Sequence, residues 1–231
     1  MNYGYASLDH QTEKLILRYE DEPNRYFIQL YHHVASTVNL KGLNVIEVGS
    51  GRGGGSYYIK RYLEPETMIG VDISEDAVAF CNNRYSVEGL SFVTGDAESL
   101  PFENNKFDSV ISIECSSIFG SIDAFLMEVK RILRPGGYFL FADIRRKCKI
   151  NTLYEQLHNS GMTLLKETNI TPNIFEALKL DNNRRTAFIK ESVPKIFQKP
   201  FQEFAAVKGT IVYKNLQIGK LIYLSFTLQK K

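Results

Sequence analysis

The sequence predicts an α/β fold with a mostly parallel sheet, and three observations support this class. From residue 43 onward, short apolar runs alternate with helical patterns, as in successive β-α-β units. A glycine-rich turn joins the first apolar run to the first helical pattern of this series. Acidic residues end or closely follow several of the runs, where ligands bind in parallel sheets. A chain of 231 residues can bury one sizeable core, so we expect a single domain over residues 1–231.

Five strands and three helices are expected in a core that spans residues 41–144. Ser74 is the expected N-cap of the second helix, because Glu75 and Asp76 then occupy its first turn, where the helix dipole favours negative charge. The third helix should stop at a tight Arg-Pro-Gly-Gly turn over residues 134–137. The predicted strands cover residues 43–48, 68–72, 90–94, 109–113 and 138–143, and the first helix covers about 56–63.

The segments on either side of this core are predicted from their apolar stripes. Residues 1–40 contain two helical stripes, which we expect to form a helical lid. Residues 145–231 should form a substrate-side elaboration with the final strands. The first stripe is Leu8, Leu15, Ile16 and Tyr19, and the second is Phe27, Leu30, Tyr31, Val34 and Val38. The later elements are a helix at 150–160, a strand at 162–168, an amphipathic Phe-rich region at 173–206 and a strand at 221–228.

Composition and charge exclude several classes of function. A net charge of +2 with scattered Lys and Arg argues against nucleic-acid binding. The one dense basic cluster, at residues 145–149, is expected to be a solvated loop. No apolar run approaches the roughly 18 residues of a membrane span, and acidic residues interrupt the start of the chain. Cys81, Cys115 and Cys148 lack metal-binding spacing, so we expect no metal site and reduced thiols in a cytoplasmic protein.

The glycine-rich turn indicates a nucleotide-type site. Residues 47–55 read Glu-Val-Gly-Ser-Gly-Arg-Gly-Gly-Gly, which matches both a dinucleotide fingerprint and the form E-x-G-x-G-x-G. Asp72 ends the second strand, where a carboxylate can accept ribose hydroxyls in either cofactor class. The run Gly-Asp-Ala-Glu-Ser-Leu-Pro-Phe at residues 95–102 follows the third strand and distinguishes the two. With these motifs in order, residues 43–143 resemble the class I S-adenosylmethionine (SAM)-dependent methyltransferases.

The resemblance implies a Rossmann-like methyltransferase fold and SAM as cofactor, with S-adenosylhomocysteine as product. The implied sheet has seven mostly parallel strands, an antiparallel last strand and helices on both faces. In the family the acid at Asp96 binds adenine, Asp72 binds ribose and Glu47 lies near the amino acid end. Carboxylates suit a sulfonium cation and would repel a pyrophosphate. The expected cofactor-binding residues are Glu47, Gly49, Ser50, Gly51, Gly53, Asp72, Ile73, Asp96, Ala97, Glu98, Glu114, Tyr3 and Tyr5.

Flanking segments are similar to a narrower group, the bacterial phthiotriolone and glycopeptidolipid O-methyltransferases. The similarity rests on residues 2–5, 29–34, 114–119 and 213–223, and residues 170–205 are its weakest part. It implies methylation of a hydroxyl on a polyketide, lipid or other natural product. Members of the group often have a histidine after the fourth strand, where this chain has Ser117. Serine is not a useful base near neutral pH, so the base must come from elsewhere or is not needed.

Few residues could act as that base. Methyl transfer from SAM is an SN2 displacement with an activated donor, so proximity should supply most of the acceleration. His33 on the second N-terminal helix and Glu114 at the end of the fourth strand are the candidate catalytic residues, with Asp143 at the same edge. His10 and His158 are expected at the surface. Tyr3 and Tyr5 are candidates for an aromatic lid over SAM that excludes water.

The acceptor pocket should lie between the N-terminal helices and residues 145–206. Most apolar residues there are expected to pack the lid onto the body, and Phe175 or Phe197 could line a cleft for a small hydrophobic acceptor. Alternatives are N- or C-methylation, a SAM-binding protein with little catalysis, and an NAD-dependent oxidoreductase. The chain should be a monomer or homodimer. The apolar set is Ile174, Phe175, Leu178, Leu180, Phe188, Ile189, Val193, Ile196, Phe197, Phe201 and Phe204.

Overall fold

A mixed β-sheet lies at the centre of the molecule. The computed structural model describes residues 2–9 and 13–231. Within them the sheet has seven strands. In chain order these are β1 (Asn44–Val48), β2 (Thr67–Asp72), β3 (Leu90–Thr94), β4 (Phe107–Ile113), β5 (Leu133–Arg146), β6 (Thr163–Asn169) and β7 (Leu221–Gln229).

The strand order brings the first four strands together at one side of the sheet. It is β3-β2-β1-β4-β5-β7-β6, with β1 to β5 parallel and β7 antiparallel to both of its neighbours. The sheet grows in one direction from β1 to β3 and in the other from β4 onward, so β1 and β4 flank the central crevice. All five parallel strands point their carboxyl ends at the same edge, which we call the carboxyl edge. A parallel sheet of this kind binds ligands in that crevice.

Helices cover both faces of the sheet, as its parallel strands require. Phe139 and Phe141 of β5 pack into one apolar cluster, and Leu140 and Ala142 pack into the other. This alternation follows from the two-residue period of a strand and divides the core into two layers. The helices are α1 (Arg25–Ala35), α2 (Gly54–Tyr62), α3 (Glu75–Arg84), α4 (Ile122–Ile132), α5 (Ile150–Asn159), α6 (Thr171–Ser192), α7 (Gln198–Phe204) and α8 (Ile211–Gln217).

The two clusters belong to different helices. Phe125 of α4 and Leu153 of α5 pack on one face of the sheet. Leu30 of α1, Tyr58 of α2 and Ile174 of α6 pack on the other. The predicted α/β class, the seven strands, the antiparallel last strand and the helices on both faces are therefore confirmed. Ser74 is also the N-cap of α3 as predicted, because its hydroxyl accepts a hydrogen bond from the amide of Ala77 at 3.2 Å.

The predicted first N-terminal helix is wrong in the described residues. Residues 2–9 and 13–18 form neither helix nor strand, and the chain first turns helical at a 3₁₀ segment, Tyr19–Asn24, before α1. Leu15 and Leu17 contact the core while Ile16 is exposed, which is the two-residue alternation of an extended chain. The amide of Arg18 donates to the Tyr62 hydroxyl at 2.9 Å rather than to a helical carbonyl.

The expectations at the fifth strand are confirmed only in part. The third predicted helix stops just before the Arg-Pro-Gly-Gly segment, and Gly136 has the expected positive φ, at 80°. The segment is nevertheless part of β5 rather than a separate turn, and the Gly136 amide donates to the carbonyl of Lys230. Proline is tolerated there because the pairing with β4 is irregular at this point. Arg145 is not part of a solvated loop either, since it lies in β5 and is buried against Asp143. Arg146, Lys147 and Lys149 are exposed as expected.

The cysteines of the described residues form no disulfide bond. Cys81, Cys115 and Cys148 are free thiols, the first two buried and the third exposed. No helix within residues 2–9 and 13–231 is both long and apolar enough to cross a membrane. The same residues contain no group of three or more His, Cys, Asp or Glu placed to hold a metal ion.

Candidate functional site

The glycine-rich loop between β1 and α2 forms an open cradle at the carboxyl edge. Gly49, Gly51 and Gly53 all have positive φ, at 79°, 53° and 72°. A side chain would be strained at each of them. At Gly51 a Cβ atom would meet nothing within 4 Å, so the backbone there borders open space. The Gly51 amide donates to Asp72 Oδ2 at 2.7 Å, which ties the loop to the end of β2.

Asp72 ends β2, and Ile73 follows it at the same edge of the sheet. Asp72 Oδ1 accepts a hydrogen bond from the Ser74 amide at 3.0 Å, so both carboxylate oxygens orient the surrounding loops. Each oxygen has a second lone pair, which remains available to a hydroxyl of a ligand. The side chain of Ile73 is 72% exposed, an unusual state for isoleucine. Together they present a carboxylate and an apolar surface beside the cradle.

The three predicted residues after β3 have different environments. Asp96 is exposed, and its Oδ1 accepts from the Glu98 amide at 2.9 Å in a tight turn that pairs Asp96 with Ser99. Ala97 is buried in the core cluster between the sheet and α4. Glu98 Oε1 accepts from the Ser121 amide at 3.0 Å, so this carboxylate anchors the start of α4. Asp96 is therefore the residue of this group with the most accessible carboxylate.

Glu47 is fully buried, and both its oxygens have protein partners. The Tyr31 hydroxyl donates to Oε1 at 2.6 Å, and the Ser56 hydroxyl donates to Oε2. Burial raises the pKa of Glu47 to about 7, against the lowering effect of these two bonds. Tyr31 reaches Glu47 because Gly55 has no side chain, since a Cβ there would lie 2.0 Å from the Tyr31 ring. From sequence Tyr31 was predicted only as part of an apolar stripe, so its hydrogen bond to Glu47 was missed.

Ser50 differs from the other loop residues. It is buried, and its hydroxyl has no hydrogen-bond partner among the described residues. A Cβ on Gly70 of β2 would lie 2.9 Å from this hydroxyl, so the side chain points toward the sheet. Its amide donates to the carbonyl of Val71 at 2.9 Å. We conclude that Ser50 contributes its backbone to the cradle in this structure.

Glu114 follows β4 with its backbone in the left-handed region, at φ 57°. This conformation is uncommon for a residue with a side chain, and such strain is concentrated at functional sites. Oε1 accepts hydrogen bonds from the Tyr3 amide at 2.8 Å and from the Tyr223 hydroxyl at 2.9 Å. Burial, with a contribution from the nearby Asp143, raises the pKa of Glu114 to about 7. Its contact with Tyr223 could not be inferred from sequence because β7 is 109 residues away.

Asp143 of β5 is held in a buried network. It accepts from the Ser116 hydroxyl at 2.5 Å and pairs with the Arg145 guanidinium at 3.0 Å. Arg145 also donates to the Ser116 hydroxyl at 2.6 Å. Oδ1 accepts a hydrogen bond from the Ile144 amide, so both oxygens of this carboxylate are engaged by the protein. Ser117, which stands where related enzymes often have histidine, is exposed.

Tyr3 and Tyr5 belong to a segment without helix or strand, residues 2–9, which we call the N-terminal strap. The Tyr3 carbonyl accepts from Arg185 Nη2 on α6 at 2.9 Å, so this residue bridges α6 and Glu114. The pKa of the Tyr3 hydroxyl is raised to about 12 by burial and by Glu114. Tyr5 is anchored by its amide, which donates to the carbonyl of Tyr26 at 2.9 Å.

His33 lies under the N-terminal strap. Its ring stacks on Tyr5 with the ring centres 4.5 Å apart, and its Nε2 is 3.3 Å from the Ser225 hydroxyl. Burial, with Lys166 and His32 nearby, lowers the pKa of His33 to about 4. His32 points elsewhere, toward the Tyr58 hydroxyl. His158 is exposed, as predicted. The predicted surface residue His10 lies outside the described residues.

The apolar residues predicted to border the acceptor pocket divide into two sets. Ile174, Leu178 and Ile189 are buried in the two clusters that hold α6. Phe175 is partly buried and lies 5.0 Å from the Tyr213 ring. The remaining members, except the partly buried Val193, are exposed, so the expectation that they pack the lid onto the body is wrong. These are Leu180, Phe188, Ile196, Phe197, Phe201 and Phe204.

Comparisons with known proteins place the chain in a family. Residues 46–141 match the methyltransferase domain family. The chain is 36% identical over 230 residues to the phthiotriol/phenolphthiotriol dimycocerosates methyltransferase of Mycobacterium leprae (strain TN), covering 100% of this chain and 84% of that one. The chain belongs to the class I SAM-dependent methyltransferases. This methyltransferase is also 35% identical to the fatty-acid O-methyltransferase of Mycolicibacterium smegmatis (strain ATCC 700084 / mc(2)155), covering 100% and 82% of the two chains.

Solved structures share the fold of this methyltransferase at low sequence identity. The [4+2]-cyclase SpnF is 18% identical with a TM-score of 0.78, covering 100% of this chain and 88% of that one. The geranyl diphosphate C-methyltransferase of Streptomyces coelicolor A3(2) is 15% identical with a TM-score of 0.72, covering 100% and 93%. At such identities the likeness shows the fold alone.

The described residues fit SAM as the cofactor of this methyltransferase. The backbone at Gly51 borders open space, as a loop that cradles a ligand should. The polar groups around it are carboxylates, and Asp72 and Asp96 retain accessible oxygen atoms. A cationic sulfonium nucleoside is attracted by such a set, whereas a phosphate would be repelled.

Proposed function

We propose that this methyltransferase transfers the methyl group of SAM to a hydroxyl of a small, largely apolar acceptor of lipid or polyketide type. The observation that carries this proposal is Glu114, a carboxyl of pKa about 7 at the carboxyl edge, one strand from the glycine loop. An aliphatic hydroxyl is a weak nucleophile until its proton is taken up, and such a carboxylate can accept it. The substrates named for the two mycobacterial relatives are lipids, which supports the apolar class.

The residues that would hold SAM are those of the carboxyl edge. When bound, SAM supplies an activated methyl group on a sulfonium centre. Asp72 would accept hydrogen bonds from the ribose hydroxyls, Asp96 would bind the adenine amino group, and Ile73 would pack against the adenine ring. Glu47 would lie near the amino acid end of SAM. The backbone of Gly49, Ser50, Gly51 and Gly53 would surround the methionine part, with Ala97, Glu98, Glu114, Tyr3 and Tyr5 completing the set.

The role of Glu114 follows from its hydrogen bonds. The Tyr3 amide and the Tyr223 hydroxyl both donate to Oε1, which leaves Oε2 without a hydrogen-bond donor among the described residues and able to take the acceptor proton. With SAM bound, the acceptor hydroxyl would give its proton to Glu114 as its oxygen takes the methyl group, and S-adenosylhomocysteine would be left as the product. His33 is the less favoured base, because Tyr5 covers its ring and its pKa is about 4.

Other parts of the proposal concern the whole chain. We assign residues 1–231 to one domain, with a lid at 1–40, a SAM-binding core at 41–144 and a substrate-side elaboration at 145–231. The strap with Tyr3 and Tyr5 would exclude water from the site. The chain would act in the cytoplasm as a monomer or homodimer without nucleic acid. Its free thiols suit a reducing compartment.

The proposal is tested with methyl-labelled SAM and three alkyl acceptors of equal chain length that bear a hydroxyl, an amine or a carboxyl group. Mass spectrometry then locates the label. We expect the label on the hydroxyl oxygen, at a rate that rises with pH through about 7 as Glu114 ionises. Exclusive labelling of the amine would favour N-methylation. Exclusive labelling of the carboxyl group would remove the need for a base and contradict the role of Glu114. No labelling together with SAM binding would favour a non-catalytic protein.

A further inference from the structure

Helix α7 and the residue just before it, Phe197, carry an aromatic face that is exposed to solvent. Phe197, Phe201 and Phe204 are 52%, 48% and 62% exposed. Their spacing of four and three residues places them on one side of a helix. In a surface helix of a soluble protein the apolar stripe normally faces the core. Here the stripe faces solvent, and exposed apolar patches of this kind mark binding surfaces.

The aromatic face is not needed to attach α7 to the body. Directly after α7, Ala205 and Val207 are buried with Ile189 of α6. The Ala205 carbonyl also accepts a hydrogen bond from Arg185 Nη1 at 3.0 Å. These contacts fix the end of α7 while its phenyl rings stay free. Two neighbours extend the exposed apolar surface, Phe188 at the end of α6 and Ile196 just before α7.

The segment that carries this face, residues 188–208, is rich in lysine. Lys190, Lys195, Lys199 and Lys208 are all exposed. Residues 188–208 contain only two acids, Glu191 and Glu203. Glu203 is engaged in the protein, because its carboxylate caps the start of α8 through the amides of Ile211 and Val212. The lysines of the segment outnumber its acids, so its net charge is positive and complements an anionic surface.

The face also lies a short chain of contacts from the active-site residues. Arg185 donates to the carbonyl of Ala205 and to the carbonyl of Tyr3. The amide of Tyr3 in turn donates to Glu114. One buried guanidinium thus joins the end of α7 to the strap that covers the candidate base. A surface that held α7 would therefore be coupled to the N-terminal strap through Arg185.

We propose that α7 docks onto an anionic lipid surface, with the phenyl rings in the acyl region and the lysines at the phosphates. Helices with aromatic residues on one side and lysines around them bind lipid interfaces in this manner. The inference concerns where the enzyme binds and goes beyond the choice of acceptor. An acceptor dissolved in that surface would be presented directly to the site.

Vesicle flotation of the full chain tests the proposal. We expect binding to vesicles of phosphatidylglycerol and phosphatidylcholine, weaker binding to phosphatidylcholine alone, and loss of binding as salt increases. The variant F201S/F204S should bind at least about tenfold more weakly, since two phenyl rings no longer enter the acyl region. The matched control I16S/M127S removes two exposed apolar side chains elsewhere and should bind as the wild type does.

The remaining outcomes are also decisive. Equal vesicle affinity of F201S/F204S and the wild type would overturn the proposal. A dimer that light scattering detects in the wild type and not in F201S/F204S, with no vesicle binding by either, would assign the face to a second copy of the chain. Methyl transfer to a short water-soluble acceptor should be the same in F201S/F204S and the wild type. Its absence in both would count against the proposed function and leave the docking result intact.

Discussion

Glu114 combines a left-handed backbone, a partly buried carboxyl and a pKa of about 7. The substitution Glu114→Gln keeps the shape and an acceptor oxygen for Tyr3 and Tyr223 but cannot take up a proton. We expect kcat for the hydroxyl acceptor to fall by ~10²–10⁴-fold. The dissociation constant for SAM, measured by calorimetry, should change little.

The pH profile separates this role from a structural one. In the wild type the rate should rise through about pH 7, because only the ionised carboxylate accepts a proton. In Glu114→Gln the remaining rate should not show that rise. The exposed Glu191 offers a control, and Glu191→Gln should keep both rate and profile. A Glu114→Gln enzyme with wild-type kcat and profile would eliminate Glu114 as the base.

Glu47 leads to a prediction about stability. Its folded-state pKa of about 7 lies above the ordinary value of 4.5, so the folded protein holds this proton more tightly than the unfolded chain. The resulting stabilisation is complete below about pH 4.5 and is lost as pH rises to about 7. A shift of this size corresponds to roughly 3 kcal/mol. Urea unfolding of the ligand-free chain should show this decline, together with a similar one from Glu114.

The variant Glu47→Gln should have a shallower decline between pH 4.5 and 7, because one of the two carboxyl contributions is removed. Glu75→Gln, a change at an exposed carboxyl in the first turn of α3, should keep the wild-type slope. A slope in Glu47→Gln that equals that of the wild type would show that Glu47 ionises normally in the folded chain.

At the scale of elements, a buried ion pair on α6 joins this helix to its neighbours. Arg185 and Asp181 are both buried, and Arg185 also reaches the end of α7 and the N-terminal strap. Without Arg185 the buried Asp181 keeps only the partly exposed Arg184 as a cation. The buried carbonyl of Ala205 and the carbonyl of Tyr3 also lose their donor. We expect Arg185→Met to lower the free energy of unfolding by ~3–5 kcal/mol.

Arg184 provides the matched control for this prediction. It contacts the same Asp181, but its side chain is 40% exposed. Arg184→Met should cost at most about 1 kcal/mol, because Arg185 still neutralises Asp181. Equal losses in the two variants, measured by urea unfolding, would mean that the buried position of Arg185 is not what matters.

The elements also show what the sequence could and could not predict. The strand at residues 90–94 was placed with its observed bounds, because a short apolar run between turn signals has few alternative structures. The opening segment was mistaken for a helix because its apolar residues fit a helical stripe. The decisive facts were tertiary, namely the alternate burial of Leu15 and Leu17 and the bond from Arg18 to Tyr62. The exposed phenyl rings of α7 could not be foreseen, since an apolar pattern normally predicts burial.

The candidate site was predictable to a similar extent. Asp72 and Asp96 could be assigned to the carboxyl edge because each follows a strand of one parallel sheet. The partners that set the chemistry of Glu47 and Glu114 could not be found in this way. Tyr31, Tyr223 and Tyr3 come from α1, β7 and the N-terminal strap, and only the folded chain brings them to these carboxyls.

At the scale of the whole molecule, the strand order explains why the acids gather at one edge. Glu47, Asp72, Asp96 and Glu114 lie at or just after the ends of β1, β2, β3 and β4, which are neighbours in the sheet. Four carboxyls at one edge repel each other when ionised, and a bound cation relieves that repulsion. The same edge is covered by the strap from one side. The architecture therefore favours a positively charged ligand over a phosphate-rich one.

The placement of SAM at the carboxyl edge is tested most directly by calorimetry. The measured quantity is the affinity for SAM of the wild type, Asp96→Ala and Asp76→Ala. Asp96 has an accessible carboxylate at the edge, whereas Asp76 is exposed on the first turn of α3. We predict that Asp96→Ala loses ~1.5–3 kcal/mol, or roughly 10- to 150-fold in affinity, the worth of one charge-assisted hydrogen bond. Asp76→Ala should bind SAM like the wild type. Unchanged SAM affinity in Asp96→Ala would contradict the placement of the cofactor at the carboxyl edge.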